Sequence, residues 1–367
     1  MSPLLADRTG SLMPQWRLDP WLMGMLLVLM GFGMLVLYSA GEQQIGLVWR
    51  QAVRLGMGLV ILVVLAHVPP RLLRLWAPWL FLATLLTLVA VLLFGVGRGA
   101  QRWLDLGVIR FQPSEAMKLA LPLMLALLFY RRSLPPNWST LFMAAALIAL
   151  PVALIVMQPD LGTSVLIGAS GVCMLFLAGL RWRLILLMLL GLAAIAPVLW
   201  LQLHQYQRHR ILTFLSPESD PLGQGWNIIQ SKIAVGSGGL TGKGWLAGSQ
   251  SHLEFLPEPH TDFIFSVLAE EFGFVGVLVM LALYAGIVGR GMYLASQCRD
   301  SFGRLLAGSL VFMFFLYVAV NVGMISGLLP VVGVPLPLVS YGGTSAVTLL
   351  AAFGIVMGLY SRRRFMG

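Results

Sequence analysis

Apolar residues fall in long, almost unbroken runs along this chain, and short polar segments separate them. Runs of about 18 or more apolar residues are long enough to cross a lipid bilayer as helices. We therefore predict an all-α polytopic integral membrane protein with about ten transmembrane helices. The predicted spans are Trp21–Ser39, Ala52–Val68, Leu75–Phe94, Ala116–Tyr130, Ser139–Met157, Leu161–Leu180, Leu184–Leu203, Asp262–Arg290, Gly303–Leu328 and Pro337–Tyr360.

The basic residues between the spans predict the orientation of the chain. An excess of Lys and Arg in short loops marks the cytoplasmic side of a membrane protein. Alternate loops carry this excess, in Arg8, Arg17, Arg71, Arg74, Arg131, Arg132, Arg181, Arg183, Arg290, Arg299, Arg304 and Arg362 to Arg364. We therefore expect both termini in the cytoplasm. The two longest loops of the other parity, Gly95–Glu115 and His204–Thr261, are then expected to face outward.

Composition agrees with one integral membrane domain over residues 1–367, with a large outward loop at 204–261 between the seventh and eighth spans. The chain is 59% hydrophobic and 10% charged, whereas soluble domains contain roughly 25% charged residues. The net charge of +10 is concentrated at the span ends, so it indicates topology and not a nucleic-acid partner. The spacing of Cys173 and Cys298 is not that of a metal site, and the sequence does not indicate a disulfide between them.

Asp262 lies near the end of the most unusual polar stretch, Gly236–Phe265, where the chain becomes hydrophobic again. One interpretation is helix capping, because an acid in the first turn favours the helix dipole and Thr261 offers a cap. The other is a general base fixed at the membrane edge. The long glycine-rich loop, which carries Lys243 and His260, favours the base, since a capping acid does not need such a loop.

Charged residues in two other motifs at span ends allow both structural and functional interpretations. Glu115 and Lys118 are three residues apart in FQPSEAMK and share one helix face. They form either an ion pair that neutralises two costly charges or a pair that orients a polar substrate group beside Asp262. Asp160, in QPDLGTS, is either a helix cap or a site residue.

Glu270 and Glu271 lie about two turns further along the predicted span that begins at Asp262. Acids inside a membrane span are costly and indicate function by default. Pairing with a buried hydroxyl or arginine is an equally weighted structural interpretation.

The segment GSGGLTGKG resembles a phosphate-binding loop, because glycines let backbone N–H groups approach an anion. It is not a Walker A motif, since Ser237 replaces the first glycine and Gly244 replaces the residue after the lysine. Lys243, Arg208 and Arg210 are candidate contacts for a pyrophosphate presented from the membrane. A solvated basic loop is the structural alternative.

Two further polar features bear on a metal site and on a cavity. His252 and His260 lack an obvious third ligand, so the sequence does not predict a zinc site. The segment GVPLPLVSYGGTS, from Gly333 to Ser345, opens the last span with glycines and hydroxyls, among them Ser340. These residues either line a cavity or let helices pack closely.

Taken together, these motifs resemble the shape, elongation, division and sporulation (SEDS) family of peptidoglycan glycosyltransferases, and most closely its rod-shape branch. The resemblance covers essentially the whole chain and is specific in order and spacing. The motifs that carry it are GAQRWLDLG, FQPSE, QPDLGTS, DPLGQGWNIIQSKIAVGSGGLTGKG, LEFLPEPHTDFIFSVLAEEFG and GLLPVVGVPLPLVSYGGTS.

The resemblance implies a ten-span helical fold in the bacterial inner membrane, with an active site that faces the periplasm. It implies polymerisation of lipid II into glycan strands during cell elongation. It also implies that Asp262 is the catalytic acid of the HTDF motif and that Glu115 and Lys118 line the same outer cavity. The implied partners are a class B penicillin-binding protein, which supplies the transpeptidase, and other membrane proteins of the elongation complex.

Chemistry and resemblance lead to one hypothesis. The Asp262 carboxylate accepts the proton of a sugar hydroxyl as that hydroxyl attacks the anomeric carbon of the donor. Undecaprenyl pyrophosphate leaves, stabilised by basic residues or a possible divalent cation. The candidate substrate contacts are Glu115, Lys118, Asp160, Arg210, Lys243, His260 and Ser340.

Two alternative functions belong to other classes. A lipid II flippase would use Glu270 and Glu271, but alternating access requires a site near the bilayer midplane, whereas most polar motifs here lie on one side. A noncatalytic scaffold of the elongation complex would not explain an isolated acid beside a glycine-rich loop.

Overall fold

The computed structural model describes residues 17–96, 102–105, 107, 110–202, 208, 212–214, 216, 224–248, 260–331 and 333–361. The helices are α1 (Pro20–Ala40), α2 (Ile45–His67), α3 (Pro70–Phe94), α4 (Pro113–Tyr130), α5 (Trp138–Met157), α6 (Leu161–Leu177), α7 (Trp182–Gln202), α8 (Gln224–Ser237), α9 (Ile264–Ser296), α10 (Ser301–Ile325) and α11 (Gly343–Ser361). A short antiparallel hairpin, β1 (Leu104–Asp105) and β2 (Arg110–Phe111), lies between α3 and α4. This architecture confirms an all-α polytopic protein.

Eight helices in the described part of the chain are long and apolar enough to cross a membrane. They are α1 to α5 and α9 to α11, and α6 is a shorter apolar helix of 17 residues. The protein is therefore a multi-pass membrane protein. The number of ten spans and the side on which the termini lie stay predictions.

Ion pairs join the helices at one end of the bundle, which we call the arginine-rich end. Arg290 Nη2 lies 2.6 Å from Asp19 Oδ2, and Arg74 Nη1 lies 3.5 Å from Asp300 Oδ2. Asp19 and Asp300 also cap α1 and α10. Burial raises the pKa of Asp19, but the hydrogen bonds from Arg290 and the Leu22 N–H, with the arginine charge, hold it below its usual value. The helix ends at this side are therefore fixed to each other.

The centre of the bundle is formed by α4, α10 and α11. In the most apolar window of these helices, 78%, 67% and 72% of residues are buried, against 22% in α2, α5 and α9. Helix α2 packs closely on α11, because a Cβ at Gly354 would lie 2.4 Å from Leu62 O and one at Gly358 would lie 2.7 Å from Ala66 O. Small residues allow such backbone approach between membrane helices.

Helix α9 is broken at Gly273, whose φ of 64° and ψ of −164° are not helical. The part after the break, residues 274–296, is about 34 Å long and suffices to cross a bilayer. The break thus divides the predicted span Asp262–Arg290. The part from Ile264 to Phe272 is a separate segment, almost entirely buried in protein.

The glycine-rich loop fills the gap that this break creates. Four backbone hydrogen bonds of 2.9–3.1 Å join the loop to the broken helix: Lys243 N–H to Glu270 O, Gly244 N–H to Glu271 O, Phe274 N–H to Gly239 O and Val275 N–H to Leu240 O. The contact is so close that a Cβ at Gly242 would lie 2.1 Å from Glu271 O. Gly238 and Gly242 of the phosphate-loop-like segment therefore serve contact with helix backbone.

Replacing Gly273 by alanine tests this packing. A Cβ there would lie 2.2 Å from Gly242 N, and the φ of +64° disfavours any side chain, so we expect a cost on the order of 3 kcal/mol. Gly289→Ala is the matched control, since Gly289 lies in the same helix with open space around it. Thermal melting in detergent should show a large loss for Gly273→Ala only. Equal melting of both variants would contradict the close contact.

Candidate active site

Asp262 lies in a turn, two residues before α9 begins at Ile264. The first turn of α9 contains no acid, and the N-cap residue is Phe263. Helix capping from within the first turn, the structural interpretation of Asp262, is therefore not the arrangement observed. The Asp262 side chain is half-buried, so the surrounding protein defines its direction while leaving part of it accessible.

Two neighbours fix the position of Asp262. Asn321 Nδ2 donates to the backbone oxygen of Asp262 at 3.0 Å and to that of Val334 at 2.7 Å. A Cβ built on Gly333 would lie 3.5 Å from Asp262 Oδ2. The carboxylate therefore faces the start of the segment 333–342 between α10 and α11, which we call the α10–α11 loop.

The α10–α11 loop is held by polar side chains from the surrounding spans. Tyr284 OH donates to Pro337 O at 2.7 Å, and Gln51 Nε2 donates to Ser340 O at 3.2 Å. The loop also packs on the middle of α1, since a Cβ at Gly33 would lie 2.8 Å from Val339 Cα. Irregular backbone at membrane depth is tolerated only where protein supplies its hydrogen bonds. The final helix accordingly begins at Gly343, six residues after the predicted start at Pro337.

Ser340, a predicted substrate contact, lies within this loop and is 3% exposed. Its hydroxyl accepts a hydrogen bond from the Leu336 N–H at 2.8 Å, so the side chain closes a turn. The structure gives Ser340 a structural task, and its contact with substrate stays a prediction.

His260 lies beside Asp262 in sequence and contacts the other end of the α10–α11 loop. The Tyr341 N–H donates to His260 O at 2.8 Å, and the two rings meet edge to face with centroids 5.8 Å apart. Gly342, next to Tyr341, has open space where a Cβ would be. This glycine therefore does not serve close packing, whereas Gly343 beside it closely approaches Arg54, so both interpretations of the motif stay predictions.

Glu115 and Lys118 form the expected ion pair, with Lys118 Nζ 2.5 Å from Glu115 Oε1 and the lysine side chain 2% exposed. The ammonium also lies 4.6 Å from the ring centroid of Tyr317. Tyr317 is one turn from Asn321 on the same face of α10. The pair and Asp262 are thus held by neighbouring residues of one helix. Among the described residues, Glu115 Oε2 is buried without a hydrogen-bond partner.

Asp160 acts as a helix cap in this structure. Its Oδ1 accepts a hydrogen bond from the Thr163 N–H at 3.3 Å at the start of α6. Arg102, two residues before β1, approaches the same oxygen at 3.7 Å and donates to Pro159 O at 2.7 Å. Asp160 therefore ties the α3–α4 loop to the α5–α6 connection, and its role in binding substrate stays a prediction.

Lys243, Glu270 and Glu271 meet at the break in α9. Lys243 Nζ lies 2.6 Å from Glu270 Oε1, with the glutamate side chain fully buried and the lysine 29% exposed. Ser39 at the end of α1 donates a hydrogen bond to Glu271. Glu271 thus has the hydroxyl partner that the structural interpretation named, whereas Glu270 pairs with a lysine and not with the expected hydroxyl or arginine. The predicted pyrophosphate contact of Lys243 is not tested by this pairing.

Several predicted features lie outside this neighbourhood or outside the described residues. Arg208 Nη2 donates to Leu201 O at 2.8 Å, whereas Arg210 and His252 lie outside the described residues. In the part of the chain that the structure describes, no three His, Cys, Asp or Glu residues cluster as metal ligands. The possible divalent cation stays a prediction.

Sequence reasoning missed the residues that build the site around Asp262. Gln51, Tyr284 and Asn321 are polar residues inside apolar runs, and such placement was the available signal. Their partners lie 289, 53 and 59 residues away along the chain. Their role could therefore not be read from local pattern.

Comparisons with known proteins agree with this geometry. The family model of cell cycle proteins named FtsW, RodA and SpoVE matches residues 18–364. The peptidoglycan glycosyltransferase MrdB of Escherichia coli K12 is 54% identical over 352 residues, covering 95% of each chain.

Two solved structures match nearly the whole chain. One, described as "Structural coordination of polymerization and crosslinking by a peptidoglycan synthase complex", is 37% identical with a TM-score of 0.82 and covers 95% of this chain and 99% of that one. The rod shape determining protein RodA of Thermus thermophilus is 32% identical with a TM-score of 0.73 and covers 96% and 100%.

The ion pair at the helix break leads to a test with Lys243→Met. The substitution would leave the buried Glu270 carboxylate without the ammonium, so we expect a loss of about 3 kcal/mol in stability. Adding Glu270→Gln to the same chain removes the buried charge and should restore most of the melting temperature. Unchanged stability of Lys243→Met would contradict a structural role for the pair.

Proposed function

This chain belongs to the FtsW, RodA and SpoVE family and is a peptidoglycan glycosyltransferase, and on this premise we propose that Asp262 is the general base of its polymerisation reaction. The reaction joins lipid II molecules into glycan strands during cell elongation. The observation that carries the proposal is the position of Asp262: its backbone is anchored by Asn321 while its half-buried carboxylate lies outside helix α9, beside Gly333.

The proposed reaction is a displacement at the anomeric carbon of the donor sugar. A hydroxyl of the acceptor sugar attacks that carbon, and its proton passes to the Asp262 carboxylate. The bond between the anomeric carbon and the pyrophosphate oxygen breaks, and the electron pair leaves with undecaprenyl pyrophosphate. A sugar hydroxyl is a poor nucleophile at neutral pH, so a fixed carboxylate base supplies what the step lacks.

The Glu115–Lys118 pair is proposed to orient a polar group of the substrate. Its support is the shared face of α10, where Tyr317 contacts Lys118 and Asn321 holds Asp262. Asp160, Arg210, Lys243, His260 and Ser340 remain proposed substrate contacts.

The proposed orientation places the Asp262 site on the periplasmic side of the bacterial inner membrane. The arginine-rich end of the bundle is then cytoplasmic, as the bias of basic residues requires. Helix α1 runs from Asp19, which pairs with Arg290, to Ser39, which bonds Glu271. The helix break and the glycine-rich loop therefore lie at the opposite end of the spans from the arginine-rich end.

We propose a class B penicillin-binding protein as the transpeptidase partner, with other elongation-complex membrane proteins. The support is the similarity to a chain of a peptidoglycan synthase complex that coordinates polymerisation and crosslinking. The flippase alternative is not favoured, because the acids it would use are held by Lys243 and Ser39 at the helix break.

The central test is Asp262→Asn in the purified complex with its penicillin-binding partner. The amide nearly keeps the shape of the side chain but cannot accept the proton, so polymer formation from lipid II should fall at least about a hundredfold. The matched control is Asp105→Asn, which changes an exposed carboxylate of the hairpin. Polymer should be measured by gel together with complex formation. Full activity of Asp262→Asn in an intact complex would overturn the proposal.

A second test separates function from folding at the Glu115–Lys118 pair. Lys118→Met alone should lower stability, because it leaves a buried carboxylate unpaired, at a cost of about 3 kcal/mol. Lys118→Met with Glu115→Gln removes both charges and should regain stability but not polymer yield. If the double variant recovers polymerisation as well, the pair serves only the fold.

A further inference from the structure

Arg54 is a half-buried arginine within the span α2. A charged side chain inside a span is costly and normally pairs with an acid or a carbonyl. Among the described residues, however, no acceptor forms a hydrogen bond or ion pair with the Arg54 guanidinium. A guanidinium carries five N–H donors. These donors are thus available to a hydrogen-bond acceptor that the described protein does not supply.

The guanidinium lies over the ring of Tyr341, a residue of the α10–α11 loop. Its central carbon lies 4.6 Å from the ring centroid of Tyr341, whose N–H bonds His260 O. A Cβ at Gly343 would lie 3.1 Å from Arg54 Nε, so the glycine allows the close approach. Stacking on an aromatic face leaves the N–H groups at the edge of a guanidinium free to donate.

The same face of α2 also fixes the loop against which Arg54 stacks. Gln51, three residues earlier, is 1% exposed and donates to Ser340 O at 3.2 Å. The Gly342 N–H donates back to Gln51 Oε1 at 3.4 Å. Arg54 is therefore presented by a rigid support.

Lys118 and Lys243 lie at the same end of the bundle as Arg54, but each of them is paired with an acid. Lys118 is paired with Glu115 and Lys243 with Glu270, at 2.5 and 2.6 Å. Each of these ammonium groups is neutralised by a protein carboxylate. Arg54 has no such partner in the described structure, so its charge is available to meet an anionic ligand.

We propose that Arg54 binds the pyrophosphate of the polyprenyl-linked substrate at the Asp262 site. The inference rests on the proposed function and deepens it by naming a residue for the anionic part of the substrate. The planar fork of arginine matches two phosphate oxygens at once. No bond to Arg54 forms or breaks; its fixed charge stabilises the negative charge that develops on the leaving phosphate oxygen.

Binding of three lipids tests the assignment: undecaprenyl pyrophosphate, undecaprenyl monophosphate and uncharged undecaprenol. In nanodiscs, Arg54→Gln should weaken binding of the pyrophosphate lipid about tenfold, as expected for a lost charge-assisted contact. Binding of undecaprenol should stay unchanged. The matched control is Arg299→Gln, an exposed arginine at the arginine-rich end, which should leave all three affinities unchanged.

A purely structural role for Arg54, as a clamp on Tyr341, predicts a different result. Loss of the clamp would lower the melting temperature and turnover and would weaken the three lipids equally or not at all. That outcome overturns the inference. Arg54→Lys provides a second variant if Arg54→Gln does not fold, because it keeps charge and stacking but loses the planar fork. It should weaken pyrophosphate binding and raise the KM for lipid II more than it lowers kcat.

The experiment also separates this inference from the proposed function. Wild-type protein that binds the pyrophosphate lipid through Arg54 but forms no polymer with its partner would overturn the polymerase proposal alone. Wild-type polymerisation with normal pyrophosphate binding by Arg54→Gln would overturn the Arg54 inference alone.

Discussion

The hydrogen-bonding demand of backbone inside a bilayer is the constraint on which the rest of this structure depends. Two stretches of the bundle leave helical geometry, and each is satisfied by other parts of the protein. The α10–α11 loop receives hydrogen bonds from Gln51, Tyr284 and Asn321. The break at Gly273 exchanges backbone hydrogen bonds with the glycine-rich loop. Both departures from helix are therefore fixed in place.

This constraint explains how a carboxylate can be held accurately at a membrane edge. Asn321 bonds the Asp262 and Val334 backbones together, so the turn and the α10–α11 loop form one unit. The side-chain carboxylate is not needed to cap α9, because the helix starts two residues later. A carboxylate whose backbone is held in this way would need little rearrangement as charge develops in the proposed reaction.

The sequence predicted what depends on local pattern and left open what depends on distant partners. Long apolar runs placed the membrane helices, and the polar context of Asp262 singled out that residue. The break at Gly273 was not predicted, because the apolar run continues for many residues after it and a lone glycine in a helix has several meanings. The partner of Glu270 is Lys243, 27 residues earlier in the chain. The sequence alone could not decide between a structural ion pair and a functional role for Glu270, because it did not predict the helix break that brings Lys243 beside it.

The arrangement of Arg54 also resolves a conflict between two demands of the proposed chemistry. A cation close to the leaving pyrophosphate stabilises its charge, but a cation beside the base would lower the pKa of that carboxyl and weaken it as a proton acceptor. Arg54 forms no ion pair with Asp262; Tyr341 lies against its guanidinium and bonds the backbone of His260. The aromatic ring thus keeps the arginine near the site without neutralising the base. A direct Arg54–Asp262 ion pair would place a cation near the leaving pyrophosphate but would weaken Asp262 as a proton acceptor.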